Sequence, residues 1–200
     1  MDTEATGTRP SIVVACGKFQ PFHNEHLDYL LAALSVGQHC IVGITNPDPT
    51  YIRTEKADPL RSRPESNLAT YYERYLMVRD SLQEARVQGE RFDVVPFPLN
   101  VPDQLFNYVP QNALVLVTLY DDDPWLIERR SKLEAHGFRT EVLYHKPGKG
   151  IVGADVRRRI AEGRPWKDLV PAATARVIVE HGIDQRIRDA ATGNPDGSIS

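Results

Sequence analysis

The sequence lacks any apolar run that approaches the roughly 20 residues needed to span a bilayer as a helix. It is also poor in cysteine, with only Cys16 and Cys40, and both stand in apolar, strand-like surroundings. These features predict a protein that does not enter a membrane and has two buried, reduced thiols rather than a disulfide framework. No signal peptide is recognisable, so the cytoplasm is the expected location.

Neither sign of charge is in large excess. The chain has 24 basic and 27 acidic residues and a formal net charge of −3, which argues against bulk nucleic acid as a partner but allows a local basic pocket. With 200 residues, 41% hydrophobic and 26% charged, the chain can bury one ordinary core. We expect flexible tails at 1–10 and 191–200 around a single domain at 11–190.

A strand, a tight turn and a helix are predicted near the amino terminus. The apolar run 12–16 is typical of a short buried strand, Gly17 favours a turn, and Pro21 prevents the strand from continuing. Apolar residues then recur at three and four positions, as in a helix: Leu27, Leu30, Leu31 and Leu34. Gly37 stands where this helix would end.

Two histidines fall in the first turn of that helix. His23 and His26 are three residues apart, so both imidazoles should lie on one helix face. The free backbone N–H groups of a first turn, together with the helix dipole, attract phosphate. The segment therefore predicts a phosphate site directly after a buried strand.

Strand and helix patterns alternate through the rest of the chain. Further strands are predicted at 40–44, 92–97, 113–119 and 139–144. Alternation of this kind favours an α/β fold, a Rossmann-like, doubly wound and mostly parallel five-stranded sheet with helices on both faces. Ligands of such sheets bind beyond the carboxyl ends of the strands.

A second glycine-rich segment also precedes a helix. Lys146, Lys149 and Arg157 surround it, and Gly153 stands at its centre. Cations beside the free N–H groups of a helix terminus can hold a polyphosphate. The segment 51–66 between these phosphate motifs has no periodicity, and we interpret it as a long exposed loop, which is usually functional or mobile.

The first motif resembles the HxGH signature of the nucleotidyltransferase superfamily. Residues 17–23 read GKFQPFH, most similar to the GRFQPFH run of archaeal-type nicotinamide mononucleotide adenylyltransferases. Lys18 stands where that family has Arg, which keeps the charge but loses the bidentate fork. Glu25 stands where the family has Gly, and adds a carboxylate where the nucleotide packs closely in relatives.

The resemblance extends to two further motifs. The family has an Asn-Pro-Phe-Thr-x-x-Glu-Arg run, matched here by four residues: Asn67, Thr70, Glu73 and Arg74. Thr70 and Glu73 also form a predicted capping box, so Glu73 could serve only as a cap, and Arg74 only as the partner of a neighbour. The family's Ser-Gly-Thr-x-x-Arg run is matched by Gly153 and Arg157, whereas its two hydroxyl residues are replaced by Val152 and Ala154.

The resemblance implies roles for individual residues. His23, His26, Lys18 and Arg157 would be catalytic. Gly17, Phe19, Lys149 and Gly153 would bind the nucleotide. Phe106 would stack on the acceptor ring, with Tyr108 as the alternative, and Arg74 or a loop residue such as Arg53 would meet the acceptor phosphate. Phe106 could equally belong to the core.

The resemblance also implies a reaction. An acceptor phosphate, with nicotinamide mononucleotide as the first candidate acceptor, attacks the α-phosphorus of ATP and pyrophosphate leaves. Mg²⁺ would be held mainly by the phosphates, with no protein metal site. Two alternatives remain open: CTP or ATP with another phosphate or phosphonate acceptor, and a nucleotide-binding protein without catalysis. The relatives include hexamers, so a homo-oligomer is possible, whereas nucleic acid and membrane partners are not expected.

Overall fold

The computed structural model describes residues 9–48, 64–121, 124–148 and 150–193. Several predictions concern residues outside these ranges. They are Lys149, Arg53 with most of the 51–66 loop, and most of the two predicted tails. Among the helices of the described residues, none is long and apolar enough to cross a membrane.

Five strands form one parallel sheet. They are β1 (Ile12–Gly17), β2 (His39–Thr45), β3 (Phe92–Phe97), β4 (Leu114–Tyr120) and β5 (Arg139–Lys146). Their order across the sheet is β3-β2-β1-β4-β5, and every neighbouring pair is parallel. The α/β Rossmann-like prediction is therefore confirmed, and the described sheet is wholly rather than mostly parallel. Pro96 is tolerated in β3 because that strand lies at an edge.

Helices cover both faces of the sheet. They are α1 (Asn24–Val36), α2 (Tyr71–Glu84), α3 (Pro124–Ala135), α4 (Gly153–Ala161), α5 (Ala172–Glu180) and α6 (Ile183–Ala191). Successive residues of β1 are buried in two different clusters, Val13 with α1 and α2, and Val14 beside Leu133 of α3. Burial on both faces is what the continuous apolar runs of the central strands predict.

Helix α2 buries Met77 and Val78, whereas 60% of Tyr72 near its start is exposed. The helix ends at Glu84, and Gly89 begins a short 3₁₀ turn. The predicted capping box is present, because Thr70 Oγ1 accepts from Glu73 N–H and Glu73 Oε2 accepts from Thr70 N–H.

The strand order reverses between β1 and β4. From β1 the chain first builds towards β2 and β3, and it later returns to add β4 and β5 on the other side. A reversal of this kind leaves a crevice at the carboxyl ends of the two central strands. Both predicted phosphate motifs leave strands at this end of the sheet.

Candidate active site

A cavity of about 520 Å³ opens at the reversal point. The turn after β1, the first turns of α1 and α4, the ends of β4 and β5, and one side of α3 line it. A cavity of this size can hold a nucleotide-sized ligand. The structure thus brings Lys18, His23, His26 and Arg157 to one site, as the two motifs together predict.

The turn after β1 is shaped by close packing. Phe19 adopts a left-handed backbone conformation with φ of 53°, and a Cβ on Gly17 would lie 2.5 Å from its ring. The buried Phe19 ring also meets the rings of Phe22 and His26, at 5.3 and 5.0 Å between centroids. Gly17 and Phe19 were predicted to bind the nucleotide. Both line the cavity, and their packing against each other fixes the conformation of the turn.

The two histidines stack on each other. Their ring centroids are 3.5 Å apart and the planes differ by 23°. His26 Nδ1 accepts from the backbone N–H of His23 at 3.3 Å, so the second ring is oriented by the residue that precedes α1. His23 is only 5% exposed, and its Nδ1 has no hydrogen-bond partner within the described residues.

Burial keeps both imidazoles neutral. It lowers the pKa of His23 to about 4, an effect that the Asp155 carboxylate partly opposes. Burial also lowers the pKa of His26 well below its usual value, and His23 beside it lowers this pKa further. At pH 7 the two rings are therefore neutral and can donate N–H hydrogen bonds to a ligand. A bound anion would raise both pKa values, because it favours the protonated imidazole.

Helix α4 is docked directly on the turn after β1. Arg157 donates to the backbone carbonyl of Gln20, and burial lowers the pKa of its guanidinium. A Cβ on Gly153 would lie 2.5 Å from the same carbonyl oxygen, so glycine permits this close approach. The side chain of Gln20 in turn exchanges two hydrogen bonds with the backbone of Ala69, at 2.7 and 2.9 Å.

The Glu25 carboxylate crosses from α1 to the loop before α4. Its Oε1 accepts from the backbone N–H of Ile151 at 2.9 Å. This oxygen occupies the space that a Cβ on Gly150 would take, so a side chain there would displace the Glu25 carboxylate. Glu25 and Ile151 both line the cavity. The departure from the HxGH pattern thus joins the two predicted phosphate motifs.

The opposite wall of the cavity contains residues that the sequence did not single out. Thr118, Leu126, Arg129 and Tyr144 line it. The Arg129 guanidinium contacts Cys16 Sγ at 2.6 Å and its carbonyl oxygen at 3.3 Å. In the sequence, Arg129 is one cation within a polar helix, and only the packing of α3 on β4 shows that it faces the site.

Arg74 does not reach the cavity, and its predicted contact with the acceptor needs correction. It is 2% exposed. Its guanidinium donates to four backbone carbonyls, those of Lys18, Thr45, Thr70 and Asn46, at distances between 2.7 and 3.2 Å. Burial lowers its pKa to about 10, so it stays charged at neutral pH. Four of its five N–H groups are thus directed at backbone carbonyls, and Arg74 ties α2 to the ends of β1 and β2.

Phe106 is likewise remote from the cavity. Its ring stacks on Phe138, with centroids 4.6 Å apart, and Phe138 directly precedes β5. It therefore lies at the amino end of the sheet, whereas the cavity lies at the carboxyl ends. The alternative, Tyr108, does not line the cavity either. The predicted aromatic platform for the acceptor is not provided by these two residues.

Comparison with known proteins agrees with this geometry. The profile of the cytidylyltransferase-like family matches residues 14–159. The chain belongs to this family. The matched residues run from β1 into α4 and therefore include both histidines and Arg157. The recognition of a nucleotidyltransferase from the sequence is confirmed.

Two kinds of relative are similar over nearly the whole chain. The phosphonoformate cytidylyltransferase of Streptomyces viridochromogenes is 51% identical over 172 residues, which are 86% of this chain and 92% of that protein. The nicotinamide-nucleotide adenylyltransferase of Picrophilus torridus is 30% identical over 86% of this chain and 93% of its own length. That of Thermococcus kodakarensis is 29% identical over 88% and 86%. This chain is a nucleotidyltransferase, and the similarity to the cytidylyltransferase is considerably greater.

Solved structures share the fold. A bifunctional NMN adenylyltransferase/ADP ribose pyrophosphatase from Francisella tularensis, complexed with AMP and a manganese ion, has a TM-score of 0.64 at 15% identity. The similarity covers 92% of this chain and about half (53%) of that longer chain. A putative nicotinate-nucleotide adenylyltransferase from Vibrio parahaemolyticus has a TM-score of 0.58 at 9% identity, over 88% of this chain and 96% of that one.

Proposed function

We propose that this enzyme transfers a cytidylyl group from CTP to a small acceptor that carries a phosphonate or phosphate and a carboxylate, phosphonoformate being the model acceptor. The observation that carries the proposal is the stacked His23–His26 pair, which shares one cavity with the first turn of α4 and with Arg157. The choice of substrates rests on the 51% identity to a phosphonoformate cytidylyltransferase. A change of substrate of this kind is also favoured by the departures from the adenylyltransferase motifs at Glu25, Val152 and Ala154.

The reaction needs no nucleophile from the protein. An oxygen of the acceptor phosphonate attacks the α-phosphorus of CTP, the bond from that phosphorus to the bridging oxygen breaks, and pyrophosphate leaves with the electron pair. Catalysis is then positioning plus stabilisation of the negative charge that develops on the phosphates. In this site the neutral His23 and His26 would donate N–H hydrogen bonds, and Lys18 and Arg157 would supply positive charge. Lys149 remains a candidate of the same kind.

A divalent cation, Mg²⁺ by our proposal, would neutralise phosphate charge when bound. Within the described parts of the chain, no group of three or more His, Cys, Asp or Glu side chains is placed to hold a metal ion. Glu25 and Asp28 do line the cavity with carboxylates. These residues fit an ion that takes most of its oxygen ligands from the triphosphate and at most one or two from the protein.

Adenylyl transfer to nicotinamide mononucleotide is the competing proposal. The turn at 17–23 and the archaeal relatives at 29–30% identity favour it. However, the aromatic residue expected to stack on the nicotinamide ring, Phe106, packs on Phe138 at the other end of the sheet. A small acceptor without a ring needs no such platform.

Pyrophosphate release over a matrix of nucleotides and acceptors separates these proposals. ATP, CTP, GTP and UTP are each combined with phosphonoformate, nicotinamide mononucleotide and no acceptor, in the presence of Mg²⁺. We expect CTP with phosphonoformate to give the highest kcat/KM, by about tenfold or more. Such a ratio corresponds to about 1.4 kcal/mol of transition-state discrimination. A higher value for ATP with nicotinamide mononucleotide would overturn the assignment.

A further inference from the structure

Glu25 is the carboxylate that departs from the family signature, and it lies in the part of the cavity that should receive phosphates. Its Oε1 accepts from the Ile151 N–H at 2.9 Å. Next in the chain, the Val152 N–H donates to Asp155 Oδ2 at 3.2 Å. Two successive backbone donors before α4 are thus already bound to anionic oxygens, the kind of ligand that such donors prefer.

The surroundings of Glu25 are built for an anion. His23, 5% exposed, lines the same cavity with a buried Nδ1 that has no partner in the described structure. Arg157 lines it from the second turn of α4. Gly150 leaves room for the Glu25 oxygen, which lies where a Cβ on this residue would be. The carboxylate therefore occupies a position where a phosphate oxygen could sit.

We propose that Glu25 competes with the leaving pyrophosphate for the Ile151 N–H and so sets the affinity of the site for this product. This inference rests on the proposed pyrophosphate-releasing reaction. Without ligand the carboxylate holds the loop before α4 in place. A bound triphosphate or pyrophosphate takes over the Ile151 N–H, and the displaced negative charge remains nearby. Like charges in a partly buried site repel, so Glu25 weakens pyrophosphate binding and favours its release.

Two single-charge variants test the proposal. Glu25→Gln removes the charge but keeps the length of the side chain and one acceptor oxygen. Asp28→Asn is the control, because it removes a charge from the same cavity and the same helix. Among the hydrogen bonds described, Asp28 makes none with Ile151. Inorganic pyrophosphate is titrated calorimetrically into both variants and the natural protein, with EDTA present and at constant ionic strength. Thermal unfolding of each protein confirms that it is folded.

We expect Glu25→Gln to lower the Kd of pyrophosphate about tenfold, equivalent to about 1.4 kcal/mol, and Asp28→Asn to lower it less than about threefold. An unchanged or higher Kd in Glu25→Gln would overturn the proposal, as would an equal gain in Asp28→Asn, because the effect would then be one of overall charge. Pyrophosphate is the leaving group whichever base or acceptor is used, so a wrong assignment of CTP leaves this test intact. Failure of all three proteins to bind pyrophosphate would overturn this proposal, whereas the proposed function is judged separately, by pyrophosphate release in the presence of Mg²⁺.

Hydrogen exchange at the Ile151 amide gives an independent readout. In Glu25→Ala this amide loses its partner and should exchange faster than in the natural protein, and pyrophosphate should restore its protection. In the natural protein it should stay protected with and without pyrophosphate, because one acceptor replaces the other. Protection that pyrophosphate fails to restore in Glu25→Ala would show that the ligand does not reach this N–H, and would contradict the proposal.

Discussion

Arg74 shows that a motif can identify a residue correctly and still suggest the wrong contact for its side chain. It matches a family motif, which suggested a role towards the acceptor. In the structure Arg74 is 2% exposed. Its guanidinium donates to four carbonyl oxygens, which lie at the ends of β1 and β2 and directly before α2. An arginine can serve either purpose, and the sequence gives its position but not the direction of its side chain.

Arg74→Met should destabilise the fold. Four carbonyl groups lose a charged donor at once, and an unsatisfied buried polar group costs about 1–3 kcal/mol. We expect the free energy of unfolding to fall by about 3 kcal/mol or more in urea denaturation. Arg79→Met is the matched control on the same helix, because Arg79 is partly exposed and pairs with Asp80. Equal, small losses in both variants would contradict the clamp role.

His23→Asn should lower turnover far more than nucleotide affinity. The imidazole is expected to strengthen its contact with the phosphates as charge develops, and only such contacts raise kcat. Asparagine keeps a good N-cap before α1. We expect kcat to fall about 10²-fold or more, as for the loss of one preorganised donor, with KM for the nucleotide changed much less.

His39→Asn is the control for that substitution, since His39 begins β2 at the amino end of the sheet and should leave kcat unchanged. A His23→Asn enzyme with natural turnover would remove this ring from the catalytic machinery.

At the scale of elements, the turn after β1 and the first turn of α4 act as one unit. The carbonyl of Gln20 accepts from Arg157 and touches Gly153. The two phosphate motifs are more than 120 residues apart in the chain, and the order of the strands places them side by side. The periodic patterns predicted each motif on its own helix, but they contain no information on the contact between the helices.

Gly153→Ala tests this unit. The added Cβ would lie 2.5 Å from a backbone oxygen, which cannot move aside as a flexible side chain would, so α4 must shift away from the turn. We expect kcat/KM for the nucleotide to fall about tenfold or more, since a displacement of about 1 Å in a positioned site can cost up to about 10²-fold in rate. Gly148→Ala is the control in the same loop, because a Cβ there meets nothing within 4 Å.

The strands were predicted well because burial dictates them. Central strands that are covered on both faces must be apolar throughout, and the runs at 12–16 and 113–119 show this directly. The site was predicted where backbone chemistry dictates it, as with the histidines at a helix start. One side of the site was missed because packing decides it: Arg129 faces the cavity only because of how α3 lies on β4.

At the scale of the whole molecule, the buried histidines should make stability depend on pH. The unfolded chain binds a proton at each imidazole below about pH 6.5, whereas folded His23 does so only near pH 4. Above about pH 6.5 neither state is protonated at this ring and no penalty exists. As the pH falls from about 6.5 towards 4, the unfolded state takes up protons first, so the free energy of unfolding decreases.

For His23 alone this loss approaches about 3 kcal/mol at pH 4, and His26 acts in the same direction. Urea denaturation of the natural protein and of His23→Asn at pH 7.5, 6 and 4.5 measures it. We expect the natural protein to lose more stability over this range than the variant. Parallel curves for the two proteins would show that His23 is not held neutral by burial.

The central proposal is that the cavity at the reversal point joins a cytidylyl group to a phosphonate oxygen. A single competition reaction tests this most directly: the enzyme receives equal concentrations of CTP and ATP together with phosphonoformate and nicotinamide mononucleotide, and the products are identified by ³¹P NMR and mass spectrometry. We expect pyrophosphate and a mixed anhydride of CMP with phosphonoformate as the main products. NAD as the main product, or pyrophosphate without any new P–O–P linkage, would contradict it.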